Sequence, residues 1–135
     1  MLRKNPHSLP DNTTLSDVIE NEYATVYFYG NITVVEVNEG VTISFKTGIS
    51  LLLKSLTLLG TKPFIIISNR INSYSVNPTD YKYLERVPSL RGIAIVYHTE
   101  SSKKAATLEA AFFNKPFELF DNIIDAYTWG EKLLN

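Results

Sequence analysis

Two uninterrupted apolar runs, Phe-Ile-Ile-Ile at residues 64–67 and Gly-Ile-Ala-Ile-Val-Tyr at residues 92–97, constrain this chain more than any other feature. A strand with one wet face alternates apolar and polar side chains. A run without alternation is covered on both faces, as in a parallel sheet flanked by helices. Parallel neighbours need a crossover between them, and residues 80–87 supply a short helix, with Thr79 as its cap and Pro88 as its stop. The rest of the chain has to be arranged around these two strands.

Upstream, residues 23–29 and 32–37 are β-rich runs on either side of Gly30-Asn31, which predicts a hairpin. Residues 48–59 set Ile49, Leu52, Leu53, Leu56 and Leu59 on one helical face, with Leu51 and Leu58 on the opposite face as a possible subunit or partner contact. Downstream of residues 98–102, a helix with Ala105, Leu108 and Phe112 on one face ends at Asn114-Lys115-Pro116. A strand at 117–120 then leads to a last helix, capped by Asp121, which turns Ile123, Ala126, Tyr127, Gly130 and Leu134 one way. Strands alternating with helices after an N-terminal hairpin give an α/β fold with one mostly parallel sheet. Residues 1–13, with two prolines and two asparagines, are expected to form a flexible tail, and residues 14–135 a single domain. Leu15, Val18 and Ile19 make a short apolar patch at helical spacing.

With 44% hydrophobic and 20% charged residues and a net charge of -1, the chain has the composition of a soluble globular protein and lacks the basic footprint of a nucleic-acid binder. It has no cysteine, so disulfides, thiolate nucleophiles and cysteine-based zinc sites are excluded. No apolar run approaches the roughly 20 residues of a membrane span, and no secretory signal follows the N-terminal basic residues, which predicts a cytoplasmic protein. The six glycines form no phosphate-binding fingerprint, so no cofactor is expected.

Several stretches resemble the STAS-type, SpoIIAA-like α/β domains, including small stand-alone bacterial proteins: Val37-Asn38-Glu39-Gly40-Val41, Lys62-Pro63-Phe64, the loop Ser68-Asn69-Arg70-Ile71-Asn72-Ser73-Tyr74-Ser75, Gly92-Ile93-Ala94-Ile95-Val96, Asn114-Lys115-Pro116-Phe117 and Ala126-Tyr127-Thr128-Trp129. The resemblance implies a domain that acts by binding, as anti-sigma-factor antagonists and the regulatory domains of sensors and transporters do; some relatives have been compared with lipid-binding domains. In the antagonists a serine in an Asp-x-Ser-like motif after the central strand is phosphorylated. This chain has Ser68-Asn69-Arg70 there instead, so the phosphoswitch is not carried over.

Ligands of open parallel sheets gather at the carboxyl ends of the strands. That edge would collect Asn69, Arg70, Asn72, Tyr74 and Ser75 from one loop and His98 and Lys103 from the next. Amides and hydroxyls give oriented hydrogen bonds, and Arg70 offers a planar fork for an anion unless it pairs inside the chain with Glu39 or Glu100. Three functions are compatible with these residues. The first is a non-enzymatic regulatory or protein-interaction domain, with a homodimer as one form, binding through the 69–75 loop. The second is a binder of a small amphiphile or anionic metabolite, held between the loop and aromatics such as Tyr74 or Tyr97. The third is a weak hydrolase built from Ser75, His98 and Glu39, although no nucleophile-elbow sequence supports it. His98 has no second ligand at metal-binding spacing, so no metal site is expected.

Overall fold

The computed structural model describes residues 6–10 and 13–135. Its central sheet is built from β1 (Asp17–Glu20), β2 (Ala24–Tyr29), β3 (Ile32–Val37), β5 (Phe64–Asn69), β7 (Leu90–Val96) and β8 (Phe117–Phe120), in that spatial order. The pairs β1–β2 and β2–β3 are antiparallel, while β3–β5, β5–β7 and β7–β8 are parallel. The helices α1 (Phe45–Leu59), α2 (Tyr81–Glu85) and α3 (Glu100–Glu109) make the successive crossovers, and α4 (Ile123–Leu134) closes the chain. Two short strands, β4 (Thr42–Ile43) and β6 (Ser75–Val76), pair in parallel beside the main sheet.

Residue alternation divides the core into two layers. Phe64, Ile93 and Ile95 face α1, α2 and α3 together with Val26 and Phe28. Ile65, Ile67, Ala94 and Val96 face α4, on whose side Leu9 and Leu15 also pack. Both apolar runs are therefore buried on both faces, as their lack of alternation predicts.

Gly92 determines how closely α4 approaches the sheet. A Cβ there would lie 2.7 Å from Leu133 Cδ2 and 3.0 Å from both the Pro116 carbonyl oxygen and Trp129 Cη2. The leucine tip can move, but the backbone oxygen cannot do so without disturbing the β7–β8 ladder. A Gly92→Ala chain is expected to lose about 1–3 kcal/mol; an unchanged urea midpoint would show that α4 yields freely at this point.

Four local expectations are corrected. The Leu15–Ile19 patch contributes a strand, because Val18 and Ile19 pair with Tyr27 and Val26 at the sheet edge. Helix α1 starts at Phe45 and has a different inward face: Leu51, Ser55 and Leu59 are buried, while Leu53 is 58% and Leu58 47% exposed. The buried face of α3 carries Ala106 and Glu109, leaving Leu108 and Phe112 outside. Asn122 caps α4, its side chain accepting from the Asp125 amide. Within the N-terminal segment assigned to a tail, residues 1–5, 11 and 12 lie outside the described residues. His7 rests against Tyr27 and Tyr29, and its Nε2 lies 2.7 Å from Glu36 Oε2.

Candidate functional site

Helix α1 presents Gly48, Leu51, Leu52 and Ser55 to the sheet, and the two small residues leave a space that larger side chains would fill. The result is a cavity of about 190 Å³ bounded below by Val26, Val35, Phe64, Ile66 and Ile93. Phe45 and Tyr83 also line it, their ring centroids 4.3 Å apart. Asp80, another lining residue, accepts a 2.8 Å bond from the Phe45 amide and so ties the start of α1 to the segment before α2. Thr47 Oγ1 accepts from the Ser44 amide and secures the same turn.

The polar part of the lining comes from the end of β5 and the loop after it. Alternation sends Ser68 and Arg70 to this face and Asn69 to the other. Ser68 Oγ and Tyr74 Oη are 2.7 Å apart, and Arg70 Nε donates to Ser68 Oγ at 3.4 Å. The Arg70 guanidinium carbon lies 5.4 Å from the centre of the Tyr74 ring. Arg70 is itself buried and paired: Nη1 donates to Glu109 Oε2 at 2.7 Å and Nη2 to Oε1 at 2.5 Å. Tyr81 Oη also donates to Glu109 Oε1, at 2.6 Å.

The expected partners of Arg70, Glu39 and Glu100, are thus replaced by Glu109 of α3. Burial is the largest single influence and works against the Arg70 charge, but the hydrogen bonds to Glu109, together with the electrostatic pull of Tyr74, Glu109 and Tyr81, outweigh it and raise the guanidinium pKa. For Tyr81, burial and then the adjacent Glu109 carboxylate push the phenol well above its ordinary value. Burial raises Tyr74 as well, against the opposing pull of Arg70 and the Ser68 hydrogen bond. Both phenols are neutral at physiological pH. Because their folded values lie above the unfolded value of 10.0, the unfolded state releases these protons first as pH rises, and their contribution is lost upward from about pH 10. Urea midpoints are expected to fall steeply above that pH, and less steeply in a Tyr81→Phe chain. Equal slopes would mean that Tyr81 is ionising freely.

The single polar edge expected from the sequence is two separate clusters. Register places Val35 opposite Ser68 and Asn69 opposite Val96, so Glu36, Asn69 and His98 meet across three strand ends. Asn69 Nδ2 donates to Glu36 Oε2 at 2.7 Å. Its Oδ1 faces His98 Nε2 at 2.8 Å, and an amide oxygen only accepts, so Nε2 carries the proton. Arg70 and Tyr74 lie on the opposite face with the cavity.

The other site residues are placed separately. Asn72 Nδ2 donates to the Val37 carbonyl, which fixes the loop. Lys103 Nζ lies 5.3 Å from the Tyr97 ring centre. Ser75 is exposed on β6. No hydrogen bond joins Ser75, His98 and Glu39 among the described residues. His98 Nε2 is engaged by Asn69, and Glu39 Oε2 accepts from the Ser73 amide, so the hydrolase triad is not assembled. Of the proposed interface pair, Leu51 is buried and lines the cavity, because Gly48, Leu51, Ser55 and Leu59 share the inward face; only Leu58 is exposed. Sequence reasoning missed Glu109, Tyr81, Gly48 and Ser55. A glycine and a serine amid the leucines of α1 were the available signal for the cavity.

Among the described residues, no group of three or more His, Asp or Glu side chains is arranged to hold a metal ion, and no helix is long and apolar enough to cross a membrane.

No protein-family model matches the chain, and no curated protein does. Among solved structures, it is similar to an uncharacterised protein of the DUF3478 family from Shewanella loihica PV-4, described as having a SpoIIAA-like fold. The two share 13% identity with a TM-score of 0.51, over 96% of this chain and 99% of the other. The fold of this chain is SpoIIAA-like.

Proposed function

We infer that this chain is a non-enzymatic binding domain that takes a small, largely apolar molecule into the cavity beneath α1. The cavity carries the reading. An engineered apolar cavity of about 150 Å³ stays dry and binds benzene, and this one, at about 190 Å³, has room for a ring with a short substituent. The volume is below the roughly 300 Å³ of drug-sized pockets, which suits a ligand of about one ring. Of the two small-molecule classes open from the sequence, the amphiphile fits better than the anion because Arg70 is already matched by Glu109.

A protein-interaction role, which the resemblance implies, is favoured by Ile71. That side chain is 54% exposed on the loop whose inner residues Arg70 and Tyr74 wall the cavity. Ligand uptake and partner contact would therefore share one loop.

Titration of the purified chain with benzene is expected to shift the amide resonances of Gly48, Ser55 and Tyr74 saturably and to raise the melting temperature through linkage. Spectra and melting temperature unchanged up to the solubility limit of benzene would overturn the reading.

A further inference from the structure

Counting hydroxyl protons in the polar part of the cavity lining specifies the ligand more closely. Ser68 and Tyr74 have one hydroxyl proton each, and their 2.7 Å contact uses one of the two, whichever group donates. Arg70 Nε is itself a donor to Ser68, so it cannot accept the second. Arg70 can only donate to either oxygen, and among the described residues no other acceptor takes a proton from the pair, so one O–H is left over, and both residues line the cavity. The formal charge there is balanced: two parallel hydrogen bonds join Arg70 to Glu109, the Tyr74 ring covers the guanidinium, and Tyr81 binds the same carboxylate.

Building on the cavity reading above, we propose that the site selects a ligand with one uncharged hydrogen-bond acceptor, as in an aryl or short-chain ketone, ester, ether or alcohol, which receives the spare Ser68/Tyr74 hydroxyl proton while its apolar body lies against Leu51, Leu52 and Ile66. A carboxylate or phosphate is disfavoured, because it would have to compete with Glu109 for Arg70 and leave a second negative charge beside it in a low-dielectric space. A pure hydrocarbon fits the space but leaves the spare donor unsatisfied.

Acetophenone, toluene and benzoate form a matched probe set, titrated against the full chain by calorimetry, with carbonyl-labelled acetophenone followed by infrared spectroscopy. The bound ketone is expected to show its carbonyl stretch below its position in hexane. In a Ser68→Ala/Tyr74→Phe chain that shift should disappear, and the acetophenone-over-toluene preference should fall at least fivefold. Benzoate is expected to bind at least tenfold more weakly than acetophenone. A bound ketone with its stretch at the hexane position would overturn the assignment of the polar lining and leave the cavity reading standing. Benzoate binding more tightly than acetophenone would overturn it in favour of an anion at Arg70. No saturable binding of either acetophenone or toluene would remove the cavity reading and the proposal together. The infrared position in the wild-type chain decides the matter even where the double variant does not fold.

Discussion

A Glu109→Ala chain is expected to lose about 3–5 kcal/mol of folding stability, the usual result of removing one partner from a buried ion pair. The substitution leaves the Arg70 guanidinium, 7% exposed, with no counter-charge and removes the acceptor of the buried Tyr81 hydroxyl. Against a typical domain stability of about 5–15 kcal/mol, this brings the chain close to unfolding at ambient temperature. Glu109→Gln keeps an acceptor for Tyr81 but not the charge, and should fall between alanine and wild type. The informative comparison is a double variant, Arg70→Met/Glu109→Leu. Exchanging a whole buried pair for apolar residues of similar volume is often neutral, so much of the stability should return and the two sites should be strongly non-additive. Urea denaturation of wild type, Arg70→Met, Glu109→Leu and the double variant measures the cycle. If Glu109→Ala lies within about 1 kcal/mol of wild type, water reaches Arg70 and the pair acts as an exposed one. The charge balance invoked for the polar part of the cavity lining would then fail as well.

That pair also shows where sequence reasoning stopped. The strands, the hairpin and the parallel order were legible because they depend on local signals: unbroken apolar runs at Phe64 and Ile93, alternation broken at Gly30-Asn31, and helix stops at Gly60 and Pro88. The helix faces were less legible, because assigning them by apolar count assumes that the greasiest side faces inward. In α3 the inward side contains Glu109, which is tolerated there only because Arg70, 39 residues away, meets it. No local pattern reports such a partner. In α1 the inward side contains Gly48 and Ser55, which weigh little in any count, so an apolar count places Leu53 in the core and Leu51 on the surface, the reverse of their burial. The loop after β5 reads in sequence as one polar surface, whereas the structure divides it between the two faces of the sheet. Alternation could have divided it beforehand, since Ser68 and Arg70 share a parity that Asn69 does not.

A Ser55→Leu chain is expected to be more stable than wild type by about 1–2 kcal/mol and to lose benzene and acetophenone binding. Ser55 faces the cavity from the middle of α1, and its hydroxyl donates only to the Leu51 carbonyl one turn back, at 2.7 Å, so removing it leaves no buried group without a partner. A leucine there has better helix propensity and buries its side chain in space that is now empty. The space beneath α1, about 190 Å³, has room for the added side chain, whose burial at about 25 cal/mol per Å² of apolar surface offsets an imperfect rotamer. At this chain length the gain corresponds to about 4–7 °C in melting temperature. Gly48→Ala separates the two effects. The nearest atom to its new methyl is Ile43 Cγ2 at 4.0 Å, so it should gain up to about 1 kcal/mol from helix propensity while leaving room for benzene. A rise in stability with retained binding in Gly48→Ala, and with lost binding in Ser55→Leu, ties uptake to the volume beneath α1 rather than to the looseness of the helix. A Ser55→Leu chain less stable than wild type would mean that the cavity is closed by side-chain movement in solution, and that a sequence with serine among its leucines is packed there after all.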